Sequence, residues 1–410
     1  MKEDWRVEFN DTTLKKVCTY VFTVAKVSVC ERCAVRLDMY LRKKEVMKMS
    51  ENKNPKVHTA DDLAQMQAYP LWLKIMLSNT RVRDWYKEFW NDVYVSFSGG
   101  KDSTVLSDLV AKICKEWGYK LTLVFSDTGL EYPEVRKFVP FFADYLHKKY
   151  EIEVDLIIVK PEMTFKQVIQ TVGYPIGSKK IARMIYDCKH PTEKNQATRN
   201  LYLTGVKRDG SISKAFKLSK RWIPMIDSEF KISDKCCEIM KKNPTKDFEK
   251  ETGMKPIVGT MACESNSRKE IWMQYGCNAY NSRRPQSKPL SFWTEQDILE
   301  YIIKFDLPYA SVYGDIIGKV KGEEKVYHRD ELKVLAEQKD GIPPSIHLET
   351  TGCQRTGCMF CMFGCHLEKQ PNRFQKMKET HPAVYNYCMK PVEEGGLGLD
   401  ELMTFAKIPH

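Results

Sequence analysis

The middle of the chain alternates between two hydrophobic periods. Residues 93–97 form a short apolar run with β-branched positions, which predicts a strand. Between residues 104 and 117 the apolar positions recur every three or four residues, which predicts a helix. Apolar strand patterns that alternate with helical patterns predict a Rossmann-like α/β fold, in which helices cover both faces of a parallel sheet. Further strand patterns cover residues 121–127, 153–160 and 255–262, and further helical patterns begin at Glu134, Thr164 and Ser265.

A polar turn, SGGKDS at residues 98–103, joins the first predicted strand to its helix. A loop in this position directs backbone N–H groups and the positive end of the helix dipole at an anion. Glycines 99 and 100 let the backbone approach closely, because they lack Cβ. The spacing differs from G-x-x-x-x-G-K-[ST], so the turn predicts a phosphate loop of another kind. Its side chains offer a cation, a carboxylate suited to Mg²⁺ and two hydroxyls: Lys101, Asp102, Ser98 and Ser103.

Composition and charge narrow the class of protein. Apolar residues make up 42% and charged residues 29% of the 410 positions, which is typical of a soluble globular protein. The apolar stretch at 17–30 is interrupted by Lys26 and followed by no small-residue cleavage site, so we expect neither a signal peptide nor a membrane association. The net charge of +11 favours polyanionic partners, nucleotides or nucleic acid. We expect a cytoplasmic protein, and its sequence is compatible with a dimer.

The chain divides into three predicted parts. Residues 1–55 form an N-terminal extension that ends in a charged, Asn- and Lys-rich linker and contains one C-x2-C pair, Cys30 and Cys33. Residues 56–290 hold the alternating strands and helices. Residues 291–410 are predicted to be mainly helical and cysteine-rich, and they begin with a helix capped by Thr294 and Asp297.

Fourteen cysteines in a chain without a targeting signal favour metal binding or catalysis over disulfides. Cys236 and Cys237 are adjacent, and Ser233 is the predicted N-cap of the helix on which they begin. Because adjacent helical residues point about 100° apart, both thiolates can face one metal group only near a relaxed helix start. Downstream cysteines follow as C-x4-C-x2-C-x3-C, a spacing that suits an iron–sulfur cluster or zinc: Cys353, Cys358, Cys361 and Cys365.

Three motifs together resemble the phosphoadenosine phosphosulfate (PAPS) reductase family of the PP-loop ATP pyrophosphatase superfamily. They are SFSGGKDSTVL, FSDTGLEYPEV and SDKCC with its downstream C-x2-C. The tail from TGCQRTGCMFC onward is similar to members carried by bacteria and their phages. The resemblance implies that the loop at 98–103 holds the phosphates of an adenine nucleotide, ATP with Mg²⁺. It also implies a second nucleotide-site motif at Asp127, Thr128 and Gly129.

A third segment, GTMACESNSRK, resembles the G-x-R-x-x-E-S-x-x-R segment of the family. Glu264, Ser265 and Arg268 match, which implies nucleotide binding, whereas Met261 stands where the family has arginine. The C-terminal GCHLE differs from the E-C-G-L-H motif of the reductases, and the complete SGGKDS is typical of enzymes that split ATP. These departures favour ATP chemistry over reduction, with Lys101, Asp102 and Cys263 as candidate catalytic residues.

The resemblance also implies a ligand set for one [4Fe–4S] cluster, a tandem cysteine pair with a later C-x2-C. Cys236, Cys237, Cys358 and Cys361 match this split pattern. The rivals are a local cluster on the four downstream cysteines, with Cys353 and Cys365 as alternative ligands, and Zn²⁺ in place of iron. A cysteine outside the cluster, Cys263, Cys353 or Cys365, could carry sulfur as a persulfide.

Three functions follow as hypotheses. The leading one is an ATP pyrophosphatase and sulfurtransferase that adenylates an acceptor, nucleic acid being one class, and then thiolates it. The second is a phosphoadenylyl or adenylyl sulfate reductase that forms sulfite. The third is a non-catalytic module that binds nucleotide or nucleic acid around a structural metal. The first two need a sulfur donor or a thiol reductant as partner. Basic stretches at 217–222 and 281–289 are candidate phosphate contacts.

Overall fold

The centre of the fold is a mixed sheet of six strands. The computed structural model describes residues 57–338 and 341–410. The predicted N-terminal extension, with Cys30 and Cys33, lies outside the described residues. The strands within them are β1 (Val93–Ser96), β2 (Leu121–Ser126), β3 (Val154–Val159), β4 (Ile176–Gly177), β5 (Lys255–Val258), β6 (Asn278–Ala279), β7 (Gln286–Ser287), β8 (Ile316–Val320), β9 (Val326–Tyr327), β10 (Ile346–Thr350) and β11 (Met362–Phe363).

Helices surround this sheet and build the C-terminal region. The predicted helices at the loop, after β2 and after β3 are all present, and no described helix is long and apolar enough to cross a membrane. The described α-helices are α1 (Ala60–Gln67), α2 (Leu71–Glu88), α3 (Lys101–Trp117), α4 (Pro133–Tyr150), α5 (Phe165–Thr171), α6 (Lys179–Lys189), α7 (Gln196–Thr204), α8 (Pro224–Asp227), α9 (Asn243–Thr252), α10 (Asn266–Tyr275), α11 (Glu295–Lys304), α12 (Arg329–Glu337), α13 (Arg373–Thr380), α14 (Pro382–Met389) and α15 (Leu399–Phe405).

The strand order is β3-β2-β1-β5-β7-β6, with parallel pairing throughout except between β6 and β7. The predicted Rossmann-like parallel sheet is therefore confirmed. Strand β1 sits in the middle, where Val95 pairs with Leu123 on one side and Ile257 on the other. The chain runs outward from β1 to β3 and then returns to the other side at β5. Ligands of open α/β sheets bind at such a switch point, outside the carboxyl ends of the strands.

Both faces of the sheet are covered, which explains its uninterrupted apolar strands. Val93 and Val95 face the large core beneath α3 and α4. The intervening Tyr94 packs with Phe248 of α9 on the opposite face, ring centroids 5.3 Å apart. Alternate residues of a strand point to opposite faces, so a strand covered on both faces needs apolar residues throughout.

A second core joins two stretches that are distant in sequence, residues 165–240 and residues 359–408. In it β4 pairs in parallel with β11, Ile176 opposite Met362. Residues 291–348 instead pack into the first core, where β8, β9 and β10 add a three-stranded antiparallel sheet that the sequence pattern did not indicate. The domain boundary at 290/291 stays a prediction, and residues on both sides of it contribute to the first core.

The predicted capping box of α11 is present, with Thr294 and Asp297 bonded reciprocally. The Asp297 carboxylate also accepts from the Lys74 ammonium at 2.7 Å, and the Lys74 side chain is only 2% exposed. We expect Lys74→Met to lower the free energy of unfolding by about 3–5 kcal/mol, because it leaves a buried charge unpaired. The matched exposed pair is Lys115 and Glu151, where Lys115→Met is expected to cost less than about 1 kcal/mol. Urea denaturation measures both, and equal losses would contradict the prediction.

Candidate functional site

The phosphate loop at 98–103 leaves β1 at the switch point and enters α3, which begins at Lys101. Gly99 has φ +70°, a left-handed conformation, and Gly100 is the N-cap residue in an extended conformation. The Ser98 and Ser103 hydroxyls lie 3.1 Å apart, and the Ser98 N–H donates to the Ser103 oxygen at 3.2 Å. The loop thus has the strand–turn–helix setting in which helix N-terminal amides bind phosphate.

Gly99 has no room for a side chain. A Cβ there would lie 2.8 Å from Val135 Cγ1 and 2.9 Å from Val139 Cγ2. We expect Gly99→Ala to lose about 1–2 kcal/mol of stability from its positive φ and about 1–3 kcal/mol more from overpacking. Gly210 has φ +78° and nothing within 4 Å of a Cβ, so Gly210→Ala should lose only the conformational part. Thermal unfolding of the two variants tests this, and equal losses would show that the contact with α4 is unimportant.

The Lys101 ammonium is held by residues from the C-terminal third of the chain. It donates to the backbone oxygen of Gln354 at 2.7 Å and lies 3.0 Å from Glu295 Oε1. It also lies 5.3 Å from the centroid of the Tyr313 ring, whose hydroxyl accepts from the Lys101 N–H at 3.2 Å. Lys101 is 4% exposed as a result. Sequence reasoning missed these three partners, because nothing in their local pattern connects them to the loop.

Asp102 has a buried carboxyl oxygen, Oδ1, without a hydrogen-bond partner among the described residues. Burial raises the pKa of this carboxyl, and the adjacent Lys101 charge opposes the rise. A buried acceptor without a donor suits a bound cation, and Mg²⁺ in nucleotide sites takes one or two carboxylates together with phosphate oxygens. Asp102 therefore fits the magnesium ion expected with ATP.

The second motif follows β2 at the same edge of the sheet. Asp127 accepts from the Gly129 N–H at 3.1 Å and from Arg136 Nη2 at 2.9 Å. The Thr128 hydroxyl donates to Glu131 Oε1 at 2.7 Å. Because its polar groups are bonded to one another, this motif forms an ordered turn beside the loop.

The third segment follows β5 and packs directly on the phosphate loop. A Cβ on Gly259 would lie 3.1 Å from the Asp102 backbone oxygen, so close approach requires glycine here. Glu264 accepts from the Met261 N–H at 2.8 Å and is paired with Arg268, and Ser265 caps α10. Met261 itself is buried.

Cys263 is exposed, and its thiol donates to the Trp293 backbone oxygen at 3.5 Å. Partial burial raises the pKa of this thiol, while the Arg355 charge lowers it. The segment that carries Cys263 packs on the phosphate loop at Gly259. As a candidate sulfur carrier it is accessible to a donor.

Cys236 and Cys237 begin a helix, as predicted. Ser233 lies two residues before the N-cap position and does not cap this helix; its hydroxyl oxygen accepts from the Lys235 N–H at 3.1 Å in the preceding turn. The next five residues, Glu238–Lys242, form a π-helix before α9. The wider π turn is frequent at functional sites, and it changes the angle between successive side chains from that of an α-helix.

The four thiols of the split pattern share one site. Burial raises the pKa of Cys236, and the neighbouring charges that raise it further are those of Cys237, Cys358 and Cys361. Burial also raises the pKa of Cys358 to about 11, while Lys241 lowers it. The Lys241 ammonium lies 3.7 Å from Glu131 Oε1, so it connects the thiols to the turn after β2.

The two alternative ligands lie elsewhere around this group. Cys353 lies beside Tyr132. Burial of the Tyr132 phenol raises its pKa, and the neighbouring Cys353 thiol raises this pKa further. Cys365 is buried, and burial raises the pKa of its thiol to about 12, with Glu368 the next cause. Among the four thiols of the split pattern, the one whose charge raises the pKa of Cys365 further is Cys361. The structure thus brings together the residues of the split pattern more closely than those of the local pattern.

Among the described residues, no three His, Cys, Asp or Glu side chains converge as the ligands of a single metal ion do. Four thiolates around Zn²⁺ each lie about 2.3 Å from the ion, and so within about 4 Å of one another. An iron–sulfur cluster takes four thiolates around several metal atoms, which sets them further apart. Four cysteine thiols, of which Cys236 is buried and the other three are partly exposed, fit an iron–sulfur cluster as its donor set; the metal itself stays a prediction.

A cavity of about 160 Å³ lies between the phosphate loop and the cysteine residues. Its walls come from the carboxyl ends of β1 and β2, from the π-helix and from the segment before Cys358. The lining residues are Ser96, Phe97, Ser98, Phe125, Ser126, Glu131, Tyr132, Val135, Lys241, Thr245, Thr356 and Gly357.

Comparison with known protein families shows to which family the chain belongs. The family model of the phosphoadenosine phosphosulfate reductase domain matches residues 92–217 and 217–363, well over half of the chain. The chain belongs to this family. The family match spans all three nucleotide motifs and both cysteine pairs, and it confirms the expectation drawn from the motifs.

Individual relatives are more distant. Sulfate adenylyltransferase subunit 2 of Maricaulis maris is 30% identical over 96 residues, 22% of this chain and 30% of that protein. An uncharacterized protein of Methanocaldococcus jannaschii is 34% identical over 97 residues, 23% of this chain and 21% of that protein. The matches therefore span less than a third of either relative. A phosphate complex of PAPS reductase from Candida auris shows 14% identity and a TM-score of 0.31, covering 62% of this chain and 90% of that one.

One arginine in each basic stretch is engaged in internal contacts. Arg284 forms a bidentate pair with Glu249, at 2.7 and 2.6 Å, and Arg221 donates to the backbone oxygens of Ala406 and Lys407. These two arginines therefore stabilise the fold and do not offer free guanidinium groups to a polyanion.

Proposed function

We propose that the protein is an enzyme that binds ATP with Mg²⁺ in the phosphate loop and transfers sulfur at the adjoining cysteine site. One observation carries the proposal: the cavity is lined both by Ser98 of the loop and by Lys241 and Gly357, which flank the two cysteine pairs. A molecule activated at the loop is therefore next to the thiols. Family membership supports a reaction of sulfur transfer or reduction.

The proposed reaction has two steps. An acceptor oxygen attacks the α-phosphorus of ATP, the bond to the bridging oxygen breaks, and pyrophosphate leaves. A cysteine persulfide, formed with an external sulfur donor, then attacks the activated acceptor atom through its terminal sulfur and displaces AMP. A thiol reductant cleaves the remaining S–S bond and is oxidised, which leaves the sulfur on the acceptor. The exposed Cys263 is the proposed persulfide carrier.

The loop supplies electrostatic stabilisation in the first step. Amides at the start of α3 and the Lys101 ammonium face the charge that develops on pyrophosphate. Lys101 is pre-positioned by Gln354 and Glu295, so ATP binding exchanges a carboxylate contact for a phosphate contact. Asp102 would hold the magnesium ion.

Cys236, Cys237, Cys358 and Cys361 would hold the [4Fe–4S] cluster. When bound, the cluster supplies a thiolate-ligated, redox-active centre beside the cavity. The chain contributes the helix start and π turn that orient the first pair, and Lys241 places a positive charge next to the Cys358 sulfur.

The second candidate is the reduction of phosphoadenylyl or adenylyl sulfate to sulfite. The Lys241 ammonium favours it, because it lines the cavity and would attract a sulfate group toward the cysteines. The acceptor class of the first candidate includes nucleic acid, for which the net charge of +11 is the support.

Anaerobically purified protein separates these candidates. Iron, acid-labile sulfide and zinc are assayed, and the protein is then incubated with ATP and Mg²⁺ or with adenylyl sulfate and a thiol. About four irons and four sulfides per chain with ATP-dependent pyrophosphate release support the first proposal. Sulfite formation without pyrophosphate release supports the reductase. Zinc without sulfide, and no turnover of either nucleotide, would exclude both.

A further inference from the structure

Arg355 is fixed at the mouth of the phosphate loop by its two neighbours in the chain. The backbone oxygen of Gln354 accepts from the Lys101 ammonium at 2.7 Å. The Thr356 hydroxyl lies 2.7 Å from the hydroxyl of Tyr313, which accepts from the Lys101 N–H. Because the residues on both sides are bonded to the loop or to its partner, the backbone of Arg355 cannot move away independently.

Among the described residues, the ion pair of the Arg355 guanidinium is a long one. The Arg355 side chain is 64% exposed, and its ion pair in the structure is a contact of 3.9 Å between Nη1 and Glu264 Oε1. Glu264 is already paired with Arg268 and accepts from the Met261 N–H. Arg268 and Arg355 therefore share the Glu264 carboxylate, and the charge of the Asp102 carboxyl also acts on both. Because the Arg355 contact is long and its side chain exposed, its N–H donors are accessible to a ligand. Burial lowers the pKa of Arg268 and the charge of Arg355 lowers it further, which agrees with their proximity.

Two other cations at this edge of the sheet have partners at short range. Arg136 lies 2.9 Å from Asp127, and the Lys101 ammonium lies 3.0 Å from Glu295 and donates to the backbone oxygen of Gln354. Arg355 differs from both in the distance to its partner.

We propose that Arg355 binds an anionic group of the adenine nucleotide, phosphate or sulfate oxygens that extend from the loop. This inference rests on the proposed function, since it assumes that the nucleotide occupies the loop. A guanidinium donates two parallel hydrogen bonds to such an oxyanion, which a lysine cannot do. The residue belongs to the segment that leads to Cys358, so the cysteine region contributes directly to nucleotide binding.

Calorimetric titration of the full chain tests the inference. Wild type, Arg355→Ala, Arg355→Lys and Arg208→Ala are each titrated with ATP and Mg²⁺, with adenylyl sulfate and with adenosine. Arg208 is an exposed arginine in a surface hairpin and is the matched control. We expect Arg355→Ala to weaken binding of an anionic nucleotide about tenfold or more, and to leave adenosine binding and the thermal midpoint unchanged. Arg355→Lys should keep part of the affinity.

The outcomes are distinct. Weakening confined to ATP assigns Arg355 to the phosphate chain, and weakening confined to adenylyl sulfate assigns it to the sulfate. Unchanged affinity for both nucleotides, or an equal loss of adenosine binding, overturns the inference while the proposed function stands. If wild type binds neither anionic nucleotide, the proposed function fails and the inference fails with it.

Discussion

Replacing Lys101 with alanine is expected to slow ATP-dependent pyrophosphate release by about 100- to 1,000-fold. The ammonium belongs to the loop itself, and it is positioned before the nucleotide arrives by Gln354 and Glu295. A positioned charge in a water-poor site lowers the barrier because it need not reorganise as pyrophosphate leaves. The measurement is the rate of pyrophosphate release at saturating ATP.

The fold should tolerate this change. Glu295 loses its partner, but its side chain is 42% exposed and water can replace the lysine. Lys101→Arg keeps the charge and should retain part of the rate, while Lys148→Ala on the exposed face of α4 should have no effect. Full activity of Lys101→Ala with an unchanged melting curve would refute the role given to the loop.

The second large effect concerns the cysteines. We expect Cys236→Ser and Cys361→Ser each to lose most of the bound iron and acid-labile sulfide, because each removes one of four thiolate ligands. Cys353→Ser should retain both, since Cys353 lies beside Tyr132 and apart from the other thiols. Iron and sulfide contents and the visible absorbance of anaerobically purified variants provide the measurement.

Two controls make the result decisive. Cys263→Ser removes an exposed thiol near the loop and should keep the iron while it lowers sulfur transfer. Loss of iron in Cys353→Ser with retention in Cys236→Ser would instead assign the ligands to the local C-x4-C-x2-C-x3-C pattern. The comparison of iron content between Cys236→Ser and Cys353→Ser therefore decides between the split and the local ligand sets.

The sheet could be predicted from sequence because its signals are local. A strand covered on both faces must be apolar throughout, and a strand-to-helix turn needs glycine where φ is positive, as at Gly99. The two-residue strands β4 and β11 had no such signal. They exist because the second core brings their backbones together, and their pairing is a tertiary effect.

The candidate site was predictable to the same extent. Residues within the loop and the cysteine pairs stand in short motifs, so their types and spacing indicate their chemistry. Tyr313 and Gln354 contact the loop from more than 200 residues further along the chain. Their position depends on how the C-terminal segment packs, which no local pattern encodes. Lys241 was missed although it follows the tandem cysteines by four positions.

The two segments of the second core are separated in sequence, so the ribosome synthesises them at different times. They flank β5 and the antiparallel sheet, so ribosomal synthesis exposes Cys236 and Cys237 more than 100 residues before Cys361 emerges. Domains fold as units during translation, and contacts between distant segments form late. The tandem cysteines are therefore synthesised well before the second pair. Loading of the proposed cluster is then expected to follow translation of both pairs.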